Sequence, residues 1–285
     1  MKLNRIGKGI PYSISMIGML YALISTEVYA GTMGPVNLGT GRIYAGVFGG
    51  AGTSNKVDIS QFGTAYYLEA AGGPLAVNSF GKTDRRTVGF VGGQVGYQWS
   101  EILLNSFNSA WTVAPAAELE GYYLGRSKFR GHDINNDTVR LPEHDFKVTY
   151  PMSTGVFLTN AVLNLNLANY ARFHPYVGAG IGGAAIDITD AKSRQVAPPE
   201  LGVNHYNSKT SDTESTFAAQ AKAGLNVELT ANTSVFVEYR WLYLASTSYT
   251  FGSTVYPAHV ATSSWLVKIN SQYYNMGAVG LRYSV

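Results

Sequence analysis

The sequence has 285 residues, of which 14% are charged, and this fraction lies well below the roughly 25% typical of soluble proteins. The absence of cysteine excludes disulfides, cysteine-ligated metals, thiol catalysis and an amino-terminal lipid anchor on cysteine. The body of the chain contains no apolar run of about 18 residues, which disfavours a helical membrane protein. Low charge without such a run favours a β-barrel.

The first 30 residues have the pattern of a cleaved secretory signal. Lys2, Arg5 and Lys8 precede the apolar segment Ile14 to Ile24, and Val28-Tyr29-Ala30 forms a cleavage site. An uncleaved anchor is the alternative, but the apolar segment is short and interrupted by small and polar residues. We therefore expect residues 31–285 to form one exported domain. Loss of three basic residues and one acidic residue lowers the formal net charge from +3 to +1, and no basic stripe remains for nucleic acid.

The mature chain alternates between patterned segments and polar connections, which predicts an antiparallel all-β fold. Eight strands are predicted, with ten as the alternative; the eight lie at residues 42–51, 87–99, 111–124, 148–166, 174–187, 215–229, 235–244 and 265–285. Long polar connections are predicted at residues 53–86, 125–147, 189–214 and 250–264, and short ones at 100–110, 167–173 and 230–234. A short additional strand at residues 65–70 is the alternative within the first connection.

The segment Ser215 to Leu244 shows the pattern most clearly. Apolar residues occupy every second position from Phe217 to Leu229, and the alternation resumes from Val235 to Tyr243 after a compact polar turn. A two-residue period held for more than ten residues matches the length of a strand that crosses a bilayer at a tilt. This segment therefore predicts a membrane-spanning β-hairpin.

Alternation is also typical of soluble calycin-like barrels, so the composition of each face must decide between the two classes. A soluble barrel carries many charged residues outside, whereas the polar face here is mainly Gly, Ala, Asn and Gln with isolated charges. The apolar face ends in aromatic residues, which favour the headgroup region of a membrane. The predicted membrane-interface aromatics are Tyr97, Trp99, Tyr239, Trp241, Tyr243 and Tyr283.

Three stretches carry a resemblance to a known family. MGAVGLRYSV at the end, PYVGAGIGGA in the fifth strand and VFVEYRW in the seventh resemble the opacity-type small outer-membrane β-barrels of Gram-negative bacteria. GTMGPV near residue 31 is also similar to surface proteins of some intracellular Gram-negative pathogens. The resemblance implies an eight-stranded barrel in the outer membrane, inserted by the barrel assembly machinery through Leu281, Tyr283 and Val285. Val285 departs from the aromatic residue that usually ends this family.

Charged residues at inward positions predict an ion-pair cluster in the lumen. Its predicted members are Gln94, Glu118, Glu120, Lys222, Glu238, Arg240 and Arg282. An eight-stranded barrel leaves room for little more than side chains, so these groups are expected to meet and plug it. Two alternatives remain: a path for protons or ions through the same residues, and an acid and base pair formed by Glu118 and Glu120.

Evidence for catalysis, metal binding or a cofactor is weak. His132 with Asp133 and His144 with Asp145 resemble parts of a hydrolytic site, but no third group follows by spacing. The five histidines lack metal-ligand spacing, and GAGIGG in the fifth strand lacks the helix that follows a nucleotide-binding loop. We therefore expect no enzyme activity, no metal and no cofactor.

The sequence as a whole predicts a monomeric outer-membrane barrel that acts through exposed loops. The predicted role is that of a surface antigen, an adhesion protein or a structural protein of the membrane. The expected partners are outer-membrane lipid and a host or surface ligand for the loops. A small porin is the first alternative, and an outer-membrane hydrolase is the second.

Overall fold

The computed structural model describes residues 41–103, 111–136, 140, 143–167 and 172–285. The predicted signal segment, the GTMGPV stretch and Asp137 lie outside the described residues. The strands are β1 (Arg42–Ser54), β2 (Asp58–Ala65), β3 (Leu75–Thr83), β4 (Thr87–Gln98), β5 (Ile102–Leu103), β6 (Trp111–Asn136), β7 (His144–Leu167), β8 (Phe173–Ile188), β9 (Lys192–Ala197), β10 (Asp212–Glu228), β11 (Thr233–Leu244), β12 (Thr247–Phe251), β13 (Trp265–Ile269) and β14 (Gln272–Ser284), with a 3-10 turn at Glu69–Ala71. Within the described residues, no helix is long and apolar enough to cross a membrane.

Eight of these strands form a closed antiparallel barrel. Their order around the ring is β1, β4, β6, β7, β8, β10, β11 and β14, and β14 pairs with β1 to close it. Side chains alternate between the lumen and the outer face along each strand, and in β14 this alternation continues from Gln272 to Tyr283. The predicted eight-stranded all-β fold is therefore confirmed.

The ring extends at one end into additional strands, which we call the extension. It consists of β2, β3, β9, β12 and β13 together with the distal parts of β6 and β7. Strand β6 has 26 residues, more than twice the roughly 9–11 that a tilted strand needs to cross a bilayer. The opposite end carries the short connection Leu229–Asn232 and the carboxyl terminus, and we call it the turn end.

Several predicted connections contain strands instead of loops. Residues 125–147 were predicted as a loop, but β6 and β7 remain paired up to Asn136 and His144. Of the charges that indicated a loop, Arg126, Lys128 and Arg130 lie on the outer face of β6, while Phe129 between them is buried. Outside a membrane a strand accepts charges on its wet face, so charge density did not distinguish a strand from a loop there.

Other boundaries also differ from the prediction. The first connection holds the β2–β3 hairpin, and the alternative strand at residues 65–70 is wrong because most of that segment forms a turn. The predicted connections at 189–214, 250–264 and 100–110 contain all or part of β9, β12 and β5, and the predicted last strand divides into β13 and β14. Each added strand is short and lies in the extension or at the turn end.

An apolar core runs from the middle of the lumen into the extension. Phe48, Phe90, Tyr122 and Phe236 form an aromatic layer across the barrel, with ring centroids 6.0 to 6.4 Å apart. A second aromatic group fills the extension, where the buried rings are Tyr150, Tyr206, Tyr249, Phe251 and Trp265. The predicted inward face consisted mainly of Gly, Ala, Asn and Gln. The observed inward face is less polar, because the prediction omitted inward apolar residues such as Phe236.

Candidate functional site in the barrel lumen

The lumen contains a compact group of charged side chains, which we call the lumen cluster. Its carboxylates are Glu118 and Glu120 on β6 and Glu238 on β11, and its cations are Lys222 on β10, Arg240 on β11 and Arg282 on β14. Three negative and three positive groups give a net charge of zero. All six residues are at most 5% exposed, so the cluster is shielded from water and balanced within itself.

Lys222 and Arg240 connect the three carboxylates. The ammonium of Lys222 pairs with Glu118, lies 3.0 Å from Glu120 Oε2 and lies 3.7 Å from Glu238 Oε2. The guanidinium of Arg240 pairs with Glu120 and Glu238. Strands β6 and β11 are four positions apart in the ring, so the pair of Glu120 with Arg240 spans the lumen.

Arg240 also forms the boundary between the lumen cluster and the aromatic layer. Its guanidinium carbon lies 3.9 Å from the ring centroid of Phe48 and 5.5 Å from that of Tyr122. A cation over an aromatic face is stabilised by the ring quadrupole, and more strongly where water is absent. The aromatic layer is thus held to the lumen cluster by electrostatic attraction as well as by packing.

Neutral side chains complete the hydrogen bonding of the carboxylates. The amide nitrogen of Asn160 donates to Glu118 Oε1 at 3.0 Å and to Glu120 Oε2 at 2.9 Å. Gln220 donates to Glu120 Oε2 at 3.1 Å and to Asn160 Oδ1 at 2.9 Å. Two tyrosines add hydroxyl donors, Tyr44 to Glu118 Oε2 at 3.0 Å and Tyr176 to Glu238 Oε2 at 2.8 Å.

Glycines on β8 create the space that these long side chains occupy. A methyl group added at Gly180 would lie 1.8 Å from Asn160 Oδ1, and one at Gly178 would lie 3.2 Å from Lys222 Cγ. The inward glycines of the fifth predicted strand therefore stand opposite large polar groups, as expected from the sequence.

The other predicted members of the cluster lie at its edges. Arg282 is 3.8 Å from Glu118 Oε2, and its guanidinium carbon lies 4.2 Å from the ring centroid of Tyr44. Gln94 is buried beside Glu120 in the strand register. Its amide has no hydrogen-bond partner within the described part of the chain. Asn160, Gln220, Tyr44 and Tyr176 were not included in the predicted cluster, although the alternation placed Asn160 and Gln220 on its face.

A polar cavity of about 460 Å³ opens at the turn end and ends at the lumen cluster. Its wall includes Asn164, Asn226, Glu228 and His174, and Tyr44 and Arg282 lie along its inner part. Beside and above the cluster the aromatic layer fills the barrel. The lumen is thus open at one end and filled from its middle upward.

The outer wall carries a band of exposed apolar side chains. Examples from four strands are Val47, Val91, Ile181 and Val279, all more than half exposed. The predicted interface aromatics lie toward the two ends of this band: Tyr97, Trp99 and Tyr283 near the turn end, and Trp241 and Tyr243 toward the extension, with Tyr239 between them. Trp241, Tyr243 and Tyr273 form a group with ring centroids 5.3 to 6.4 Å apart.

Of the two candidate catalytic pairs, only His144 with Asp145 has described side chains, and these two do not converge on one site. His144 and Asp145 are consecutive in β7, so their side chains point to opposite faces of the strand. His132 and Asp133 are likewise consecutive in β6, and their side chains lie outside the described part of the structure.

Comparisons with solved structures return outer-membrane barrels at low similarity. Neisserial surface protein A is 13% identical and has a TM-score of 0.31, with 86% of this chain and 99% of that chain covered. OprG from Pseudomonas aeruginosa is 13% identical with a TM-score of 0.35, over 86% and 96% of the two chains. The protease OmpT from Escherichia coli is 10% identical with a TM-score of 0.33, over 84% and 97%. No protein-family model and no curated protein matches the sequence. The fold assignment accordingly stands on the strand pairing of this chain.

Proposed function

We propose that the chain is an integral outer-membrane β-barrel with a sealed lumen, and that it acts at the cell surface as an antigen, an adhesion protein or a structural protein. The apolar band supports the membrane location, because a soluble protein rarely exposes a continuous apolar surface of this extent. The aromatic residues toward both ends of the band match the interfacial positions of membrane barrels.

The inference that the lumen is sealed rests on the lumen cluster. Its charges are paired with each other and bonded to buried amides and hydroxyls, and the aromatic layer packs against it. Water cannot form a continuous column past tightly packed, ion-paired side chains. A barrel that does not conduct is expected to function through its surface, and the extension carries exposed charges such as Arg126, Lys128 and Arg130.

The extension supports the surface role because it is a folded platform with its own core. Its stacked rings, such as Tyr206 and Phe251 with centroids 4.7 Å apart, hold the strands that carry the exposed charges. Arg140 donates to the carbonyls of Ala71 and Gly73 at 2.8 and 2.9 Å and thereby ties the turn after β2 to the far end of the barrel wall. A rigid polar platform suits recognition of a host or surface ligand.

The remaining partners follow from the same assignment. Outer-membrane lipid contacts the apolar band, and the last strand with Leu281, Tyr283 and Val285 engages the barrel assembly machinery. The barrel acts as a monomer. Its sequence pattern resembles that of the opacity-type small outer-membrane barrels. The leader at residues 1–30 is removed on export.

Surface display tests this proposal. A short epitope tag is inserted between Pro257 and Ala258 in the extension, or between Ala231 and Asn232 at the turn end, and antibody is added to intact Gram-negative cells. We expect only the first tag to be labelled. Adhesion of such cells to host cells should then fall when residues 247–269 are replaced by a short turn. Labelling of the second tag alone would contradict the proposal, and adhesion unaffected by the replacement would exclude the adhesion role.

A small porin is the second candidate, and the polar cavity at the turn end favours it. The cavity reaches about as far as Tyr44 and Arg282, so a conducting barrel requires the lumen cluster and the aromatic layer to move aside. Ion conductance distinguishes the two candidates.

A further inference from the structure

Two histidines and a glutamate that are far apart in the sequence meet in the extension. Glu200 and His205 lie between β9 and β10, and His259 lies between β12 and β13. Glu200 Oε2 is 3.4 Å from His205 Nε2, and Glu200 Oε1 is 3.5 Å from His259 Nε2. One ligand atom from each of the three residues lies within 4.8 Å of the others.

The hydrogen bonds of the two rings set which nitrogen faces the carboxylate. His205 Nδ1 is 3.0 Å from the carbonyl oxygen of Ser193, and His259 Nδ1 is 2.6 Å from that of Val260. A carbonyl oxygen only accepts, so each Nδ1 carries a proton and each Nε2 is the nitrogen that faces Glu200. Metal-bound histidines in proteins are usually oriented by such a bond from the other ring nitrogen.

The three groups converge on a space that an ion would fill. Both Nε2 atoms face the carboxylate of Glu200, and Glu200 Oε2 is buried without a hydrogen-bond partner in the described part of the chain. Ligand atoms roughly 2.1 Å from a tetrahedral ion stand about 3.4 Å apart, close to the two distances measured here.

The surroundings hold His205 in place before any ion binds. Its ring packs edge to face against Phe146 at 5.1 Å and against Trp265 at 5.9 Å between centroids. Thr254 donates its hydroxyl to the carbonyl of His205 at 2.9 Å, and the indole of Trp265 donates to Thr254 Oγ1 at 3.2 Å. The ligand is thus fixed by groups from β7, β13 and the β12–β13 connection.

We propose that Glu200, His205 and His259 bind one divalent transition-metal ion of the zinc type, with a fourth position left for water or an external ligand. Two imidazoles and one carboxylate suit Zn²⁺ and disfavour Ca²⁺ and Mg²⁺, which prefer oxygen ligands. The ion joins the β9–β10 connection to the β12–β13 connection. This site goes beyond the proposed surface role and does not depend on whether the protein is an adhesin.

Isothermal titration of the chelator-treated, refolded barrel with ZnCl₂ tests the site, with CaCl₂ as the comparison. We expect one saturable Zn²⁺ per chain and no saturable Ca²⁺. His259→Ala and Glu200→Gln should each weaken Zn²⁺ binding by at least about tenfold, the lower bound seen for loss of supporting groups around metals. Circular dichroism and thermal unfolding check that both variants keep the barrel.

His174→Ala is the matched control. His174 Nε2 lies 3.3 Å from Glu228 Oε1 at the turn end, so it forms a histidine and glutamate pair outside the proposed site. Its loss should leave the Zn²⁺ stoichiometry and affinity unchanged. Absence of saturable Zn²⁺ binding to the unmodified barrel overturns the proposal. The proposal is also overturned if the His259→Ala and Glu200→Gln variants remain folded and bind Zn²⁺ as tightly as the His174→Ala control.

Discussion

Replacement of Arg240 by methionine is the sharpest test of the lumen cluster, because it removes one charge and keeps a long side chain. The change leaves Glu120 and Glu238 without their guanidinium partner and takes the cluster from zero to one net negative charge. Loss of one partner from a buried ion pair costs about 3–5 kcal/mol of unfolding free energy. Loss of the contact with Phe48, at 3.9 Å, adds to that cost.

Urea unfolding of the refolded barrel in lipid vesicles, followed by tryptophan fluorescence, measures this loss. The matched control is Arg126→Met, because Arg126 pairs with Asp190 at 3.2 Å on the surface with both side chains more than half exposed. Such pairs contribute about 0–1 kcal/mol.

A double variant separates charge from packing. Combining Arg240→Met with Glu120→Gln restores a net charge of zero and should recover part of the stability lost in the single variant. The reasoning is refuted if Arg240→Met is no more destabilising than Arg126→Met. It is equally refuted if removal of the Glu120 charge recovers nothing.

Two further substitutions test the outer face and the packing of the lumen. Val237→Arg places a charge on the apolar band and should cost about 2–4 kcal/mol in a bilayer, whereas Thr250→Arg on the extension should cost less than about 1 kcal/mol; equal losses in vesicle unfolding would contradict the membrane location. Gly180→Ala brings a methyl group onto Asn160 and should cost about 1–3 kcal/mol. Gly183→Ala on the same strand meets only one atom, at 3.7 Å, and should be nearly neutral, so similar melting temperatures for both variants would refute the packing argument.

The barrel itself was predictable because a bilayer imposes a simple rule on each strand. The wall between the two ends alternates strictly, and the register from Ala218 to Glu228 against β11 follows that alternation. The inward charges were grouped by counting positions from the short turns, and in the structure Lys222 contacts both Glu118 and Glu120.

The extension was less predictable because that rule ends at the membrane surface. Beyond Tyr123 the outer face of β6 carries charges and the inner face packs against other strands, so polarity no longer distinguishes strand from loop. The proposed metal site is assembled from distant segments, so no local sequence pattern indicated it. Glu200 and His205 are five residues apart, but His259 joins them only through the pairing of β12 with β13 and of β13 with β2.

The aromatic layer was missed for a different reason. Phe48 lies on β1 between glycines, and Gly46 and Gly50 obscured which face of that strand points inward. Phe236 alternates correctly with its neighbours, but an apolar residue on a face assigned as polar was not weighed. Both residues pack against cations of the lumen cluster, Phe48 against Arg240 and Phe236 against Arg282, and reinforce the seal.

A planar-bilayer recording on the unmodified barrel tests the central claim most directly. The account predicts that the inserted protein passes no steady current, because the paired charges and the aromatic layer leave no continuous water path. Arg240→Met should produce intermittent leak, whereas Arg126→Met should remain silent. A large and steady conductance of the unmodified protein, unchanged by Arg240→Met, would contradict the sealed barrel and favour the porin.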